Sequence, residues 1–182
     1  QHGQARYNQR FFSRHSFEQH LISFRKHFNI LNAEALANGH LSVDKPNLVL
    51  TFDDGYANNY KYALPLLDKY GVHAYFFVTG LNAVEKKVLW ADAADIVAHH
   101  GKKKSKITAG GMDFILHHEE FLNEGRSLTL PAYIRASSHS GYEEKASIMD
   151  QLLSVYDFIK DEQLNDYWQL MTDEQIRSAA AS

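Results

Sequence analysis

The sequence predicts an α/β fold with a parallel sheet, and three features lead there. Residues 48–52 and 74–79 are uncharged runs rich in β-branched and aromatic side chains, each the length of a strand. A short helical stretch at 62–70 lies between them, so strand, helix and strand follow at the spacing of a βαβ unit with a right-handed crossover. The first run has no polar alternation, which suits a strand buried on both faces of a parallel sheet.

The elements follow in order. Phe17, Leu21, Phe24 and Phe28 recur on one face of a first helix, and Ser16 with Gln19 has the form of a capping box. Asn38-Gly39 and Pro46-Asn47 punctuate the approach to the first strand. Pro65 suits the first turn of the next helix and Gly71 its end. Beyond Gly80 the pattern changes. Residues 89–100 read as a helix ended by Gly101, and Gly110-Gly111 as a two-residue hairpin turn. Residues 142–159 read as a helix with Ile148, Leu152, Val155 and Ile159 on one face. Thr172 and Gln175 form a second capping box. The expected organisation is a helical lead-in at 1–46 and a main domain at 47–182, with a mostly helical insertion at about 81–170.

Composition narrows the function. A chain of 182 residues with 45% hydrophobic and 13% aromatic residues can bury a substantial core. Its net charge of −3 creates no field that would gather nucleic acid. No apolar run reaches the roughly 20 residues of a membrane-spanning helix. There is no cysteine, so any metal must be held by His, Asp or Glu. The run Lys102-Lys103-Lys104-Ser105-Lys106 reads as a solvated loop, with contact to an anionic polymer or membrane surface as the alternative.

Asp53 and Asp54 carry the chemistry. They follow the first strand, at the carboxyl edge where α/β folds gather ligands. Two adjacent carboxylates in a cleft repel unless a cation or hydrogen bonds offset them. Gly55 lets the chain turn sharply and brings backbone amides close to a substrate. A plain strand-end turn is the structural alternative, since Asp-Gly is a common turn pair.

Thr51-Phe52-Asp53-Asp54-Gly55 resembles the first motif of the polysaccharide deacetylase family, carbohydrate esterases related to chitooligosaccharide deacetylases. The likeness continues through 62–71 and 74–80, similar to the family's next helix and strand, and more weakly back to 17–30. The resemblance implies a distorted (β/α) barrel and hydrolysis of N-acetyl groups on a hexosamine-containing polysaccharide. It implies that Asp53 is the general base, which takes a proton from the attacking water. It implies that Asp54 is a ligand of a divalent metal, zinc by default, completed by two histidines of a His-Ser/Thr-x-x-His motif. The expected partner is an N-acetylated glycan, handled at a bacterial cell envelope or on the cytoplasmic side of glycan synthesis.

The sequence departs from that pattern. It contains no His-Ser/Thr-x-x-His pair. His139-Ser140-Gly141-Tyr142-Glu143 begins like one and has Glu in place of the second His. His99-His100 and His117-His118 have the wrong spacing to present both rings to one metal from a helix. His15, His20 and His27 read as helix decoration, and His73 as structural. The family's later motifs, including the one that supplies the general acid, are also missing. Residues 171–182 resemble the helix that leads into the histidine-bearing strand. The expectation is therefore the first part of a longer deacetylase, the barrel incomplete and the isolated activity low. A catalytically inactive glycan-binding or scaffold module is the alternative. Magnesium-dependent phosphoryl transfer would need a further acid or lysine at another strand end, and none is evident. Aromatic residues at 7–12 read as packing, with stacking on sugar rings the alternative.

Overall fold

The computed structural model describes residues 12–80, 88–136 and 141–181. They divide into two compact units: Val88–Trp168, and the described parts of Arg10–Lys87 together with Gln169–Ser182. Helices and strands are mixed in both, as the α/β reading requires.

In the unit that holds the acid pair, α1 (Arg14–His27) buries Leu21 completely and sets the Phe17 ring edge-on to Phe52, 5.8 Å between centroids. Its cap is Ser13, whose hydroxyl accepts the Ser16 amide at 3.0 Å. The helix thus starts one residue past Ser13, and Ser16 is its third residue rather than its cap. Strand β1 (Asn29–Ile30) follows, then a short helix α2 (Ala33–Ala37) capped by Asn32. The run at 48–52 was expected as one strand. It pairs instead as two, with β2 (Asn47–Leu48) parallel to β1 and β3 (Thr51–Phe52) parallel to a later strand, β4 (Tyr75–Phe76). Between β3 and β4 lie a π-helical turn at Asn59–Ala63 and the helix α3 (Leu64–Tyr70). Pro65 is in the first turn of α3, and Gly71 ends it at φ +59°. The strand–helix–strand order is as the sequence predicts.

Burial on both strand faces does not hold. Leu50, Phe52, Ala74 and Phe76 pack with Leu21, Leu66, Leu67 and Val72, and the Phe52 and Phe76 rings stack at 4.8 Å. On the other face Thr51 is exposed, and so is Phe77 at 59% directly after β4. Helices α1 and α3 cover one side of the parallel pair, and the described residues of this unit form no closed barrel.

In the other unit, α4 (Trp90–His100) precedes a meander of β5 (Lys106–Ala109), β6 (Met112–His117), β7 (Glu120–Asn123) and β8 (Leu128–Thr129). Gly110 and Gly111 join β5 to β6 with φ of +55° and +71°, the pair of positive angles that a type I′ hairpin turn needs. The stretch expected as mostly helical carries a four-stranded antiparallel sheet beside its helices. Helices α5 (Leu130–Ala136) and α6 (Tyr142–Val155) share the core with α4, and a short α7 (Asn165–Trp168) closes the unit. Helix α6 ends four residues before Ile159, which is 40% exposed, and Phe158 enters the core in its place. Gln151 of α6 accepts the Thr108 amide at 2.8 Å and donates to the Thr108 carbonyl at 3.0 Å, satisfying the edge of β5. The last helix, α8 (Asp173–Ala181), belongs with the acid-pair unit. Its predicted capping box is formed, Thr172 N–H to Gln175 Oε1 at 2.9 Å and Gln175 N–H to Thr172 Oγ1 at 3.2 Å.

Candidate active site

Strand β3 delivers the acid pair. Asp53 is exposed at its carboxyl end, Asp54 is half-buried and Gly55 is buried. The Gly55 amide donates to the Asp53 carbonyl at 2.8 Å, closing a tight turn around Asp54. Asp54 and Gly55 both take left-handed backbone angles, φ +66° and +75°. Asp is among the few side chains that tolerate this region, at a cost of about 1 kcal/mol. Glycine is required at 55 for a second reason. A Cβ there would lie 2.8 Å from Val78 Cγ1 and 3.3 Å from the Val78 Cα. Val78, two residues past β4, therefore packs directly against the turn.

A second segment holds the turn from another side. The Met171 amide donates to the Gly55 carbonyl, and the Ala57 amide donates to the Gln169 carbonyl, both at 2.8 Å. These two bonds make an antiparallel bridge between Tyr56 and Leu170. Leu170 and Met171 are buried, and the Tyr60 hydroxyl lies 3.1 Å from the Ser178 hydroxyl of α8. Sequence reasoning missed this segment. Its signal was the apolar pair Leu170-Met171 directly before the Thr172 capping box.

The histidines go to local partners. His20 packs between Phe12 and Phe24, and His27 Nδ1 lies 3.0 Å from the Ser23 carbonyl. His73 is exposed. His99 Nδ1 approaches Glu119 at 3.4 Å, and His117 Nε2 approaches Glu124 at 3.0 Å. The His100 ring stacks on Tyr156 at 5.2 Å. Burial, then the neighbouring His99, holds the His100 imidazole below the ordinary histidine range. His139 and Ser140 lie outside the described residues, as do residues 7–11 of the aromatic segment.

These donors do not complete a metal site. Among the described residues, no three His, Asp or Glu side chains group so as to hold a metal ion. No described helix is long and apolar enough to cross a membrane.

The sequence model of the family described as polysaccharide deacetylase matches residues 40–118. Over that segment the chain is similar to the polysaccharide deacetylase family. A stretch of 54 residues is 41% identical to "Putative polysaccharide deacetylase YxkH" of Bacillus subtilis (strain 168). That stretch covers 30% of this chain and 19% of the relative, so the chain spans about a fifth of that protein. No solved structure matches. The deacetylase-family segment contains the acid turn, α3 and β4, and the bridging residues 169–171 lie outside it.

Proposed function

We propose that this chain takes part in hydrolysing N-acetyl groups on a hexosamine-containing polysaccharide, with Asp53 as the base. The observation that carries the reading is the acid pair itself. It follows a parallel-paired strand, inside the segment that matches the deacetylase family. Asp53 is open to water at the end of its strand, where a base would meet the attacking water. In the proposed reaction Asp53 accepts a proton from water as its oxygen attacks the acetyl carbon. The tetrahedral oxyanion then expels the sugar nitrogen, which takes up a proton, leaving a free amine and acetate.

Asp54 is the proposed carboxylate ligand of a divalent metal, zinc in the first instance. The described residues do not complete its ligand set, and no step above is built on it. Because the sequence holds no His-Ser/Thr-x-x-His pair, we expect this chain alone to be weakly active or inactive. A distorted (β/α) barrel, with residues of about 81–170 inserted in it, is the architecture proposed for the working enzyme.

The test is acetate release from N-acetylglucosamine oligosaccharides, with added zinc or cobalt, for the working enzyme that carries this segment beside its Asp53→Asn variant. Loss of a general base should lower the rate by about 100-fold or more. Equal rates would remove Asp53 from this role. A second reading, a glycan-binding or scaffold module without catalysis, rests on the departure of the sequence from the His-Ser/Thr-x-x-His pattern. In that case the wild type would be retained on an N-acetylated polysaccharide and would release no acetate.

A further inference from the structure

We propose that Gln169, Leu170 and Met171 form a positioning strap that holds the Asp53–Asp54 turn in its working shape. Two successive left-handed residues, one of them not glycine, are unfavourable on their own and persist where the surroundings over-determine them. The turn's internal closure is the single Gly55-to-Asp53 bond, and Val78 blocks one side. The strap supplies the remaining constraint. Its Met171 amide fixes the Gly55 carbonyl, and its Gln169 carbonyl takes the Ala57 amide, so the backbone is pinned directly after both acids.

The strap is anchored at both ends of its own bridge. Leu170 is 7% and Met171 1% exposed, so both side chains are buried. Directly after Met171, the reciprocal Thr172–Gln175 box starts α8, which fixes where the strap stops. The strap belongs to the acid-pair unit although 88–168 separates it in sequence from the turn. Chain that joins the unit from far along the sequence thereby sets the angle at which Asp54 leaves β3. None of the three strap residues touches substrate in this scheme, and their role runs through the backbone of Gly55 and Ala57.

The consequence for catalysis rests on Asp53 and Asp54 being the reacting carboxylates, but the strap can be tested without turnover. The readout is NMR of the whole chain: the Asp54 amide and side-chain carboxyl resonances, with amide exchange at Ala57. Met171→Pro deletes the donor to Gly55, and Met171→Leu keeps the N–H and most of the volume. In Met171→Pro we expect Asp54 to shift and Ala57 to exchange about tenfold faster, the worth of one lost hydrogen bond. The α1 and α3 amides should keep their rates, and Met171→Leu should leave Asp54 unmoved. If Met171→Pro unfolds the unit, the pair Thr172→Ala with Gln175→Ala loosens the strap at its far end, with a smaller Asp54 shift in the same direction. An Asp54 resonance that stays in place in the folded variant overturns the proposal, whatever Ala57 does. Failure of the deacetylase reading appears separately, as unchanged acetate release in Asp53→Asn.

Discussion

At the scale of single residues, Gly55 separates two demands that glycine meets. Gly39 and Gly55 have similar left-handed angles, φ +65° and +75°. An alanine Cβ meets nothing within 4 Å at Gly39, whereas at Gly55 it runs into Val78 down to the backbone. Gly39→Ala should therefore cost about 1 kcal/mol, the price of the left-handed angle alone. Gly55→Ala should cost about 1–3 kcal/mol more, since Val78 must be displaced. Trp90 and Trp168 both lie in the other unit, so tryptophan fluorescence does not report on this comparison. Amide exchange in α3 does. Equal losses at the two positions would show that the Val78 contact relaxes freely. Val78→Ala in the Gly55→Ala background should recover part of the difference.

At the scale of elements, α1 and α3 are tied by one carboxylate. Glu18 accepts from Lys69 Nζ at 2.6 Å and from the Tyr70 hydroxyl at 2.8 Å. The Lys69 bond first, then the Tyr70 bond, holds the Glu18 carboxyl below the ordinary glutamate range, and the same Glu18 bond raises Lys69. The sign follows from proton linkage. The Glu18 share of stability is full above the unfolded glutamate pKa and is lost as pH falls through the lower folded value. The Lys69 share is full below the unfolded lysine pKa and is lost as pH rises through the higher folded value. An NMR titration should find Glu18 titrating below an ordinary glutamate, and Lys69→Met should move it back up. An unmoved midpoint would mean that the ion pair does not form in solution. A parallel case is Asp113, held low by Thr108 and then Lys106, where Thr108→Val should raise the midpoint. What the sequence revealed at this scale was whatever is local. The Thr172–Gln175 box, the Gly110-Gly111 turn and the Leu21 stripe all depend on neighbours a few residues away, and they were legible. The start of α1 was misplaced because Ser13 and Ser16 are equally good caps and only the fold selects between them. The split of residues 47–52 between two partner strands was hidden, since an apolar run does not state which of its residues will pair. The acid turn was legible through Asp53, Asp54 and Gly55. The strap was not, because the apolar pair Leu170-Met171 does not state which distant backbone it will bond.

At the scale of the whole molecule, the chain builds two cores from interleaved stretches of sequence. The smaller buries Leu21, Leu66, Leu67 and Val72 against the parallel strands. The larger centres on Phe114, Phe121, Leu152 and Phe158, and every buried residue of it falls within 88–168. That stretch also satisfies its own polar edges. Gln151 closes the free side of β5, Asn123 Nδ2 donates to the Asp113 carbonyl at 2.9 Å, and the Tyr133 hydroxyl donates to Glu144 at 2.8 Å. A contiguous segment with its own apolar core and its own hydrogen-bonded edges meets the physical requirements of a domain, near the lower end of independently stable sizes. Residues 88–168 expressed alone should therefore fold cooperatively. Trp90 and Trp168 both belong to this segment, and Trp168 meets Phe158 edge-on at 5.6 Å. Their emission and the far-ultraviolet circular dichroism should therefore change at one urea midpoint, as two-state unfolding demands. Amide protection in β6 and α6 should match that in the whole chain. Gln151→Leu should lower the midpoint, because it leaves the Thr108 amide and carbonyl without their partner at a cost of about 1–3 kcal/mol. Separate midpoints for the two probes, or protection seen in the whole chain alone, would show that this core depends on the rest of the protein.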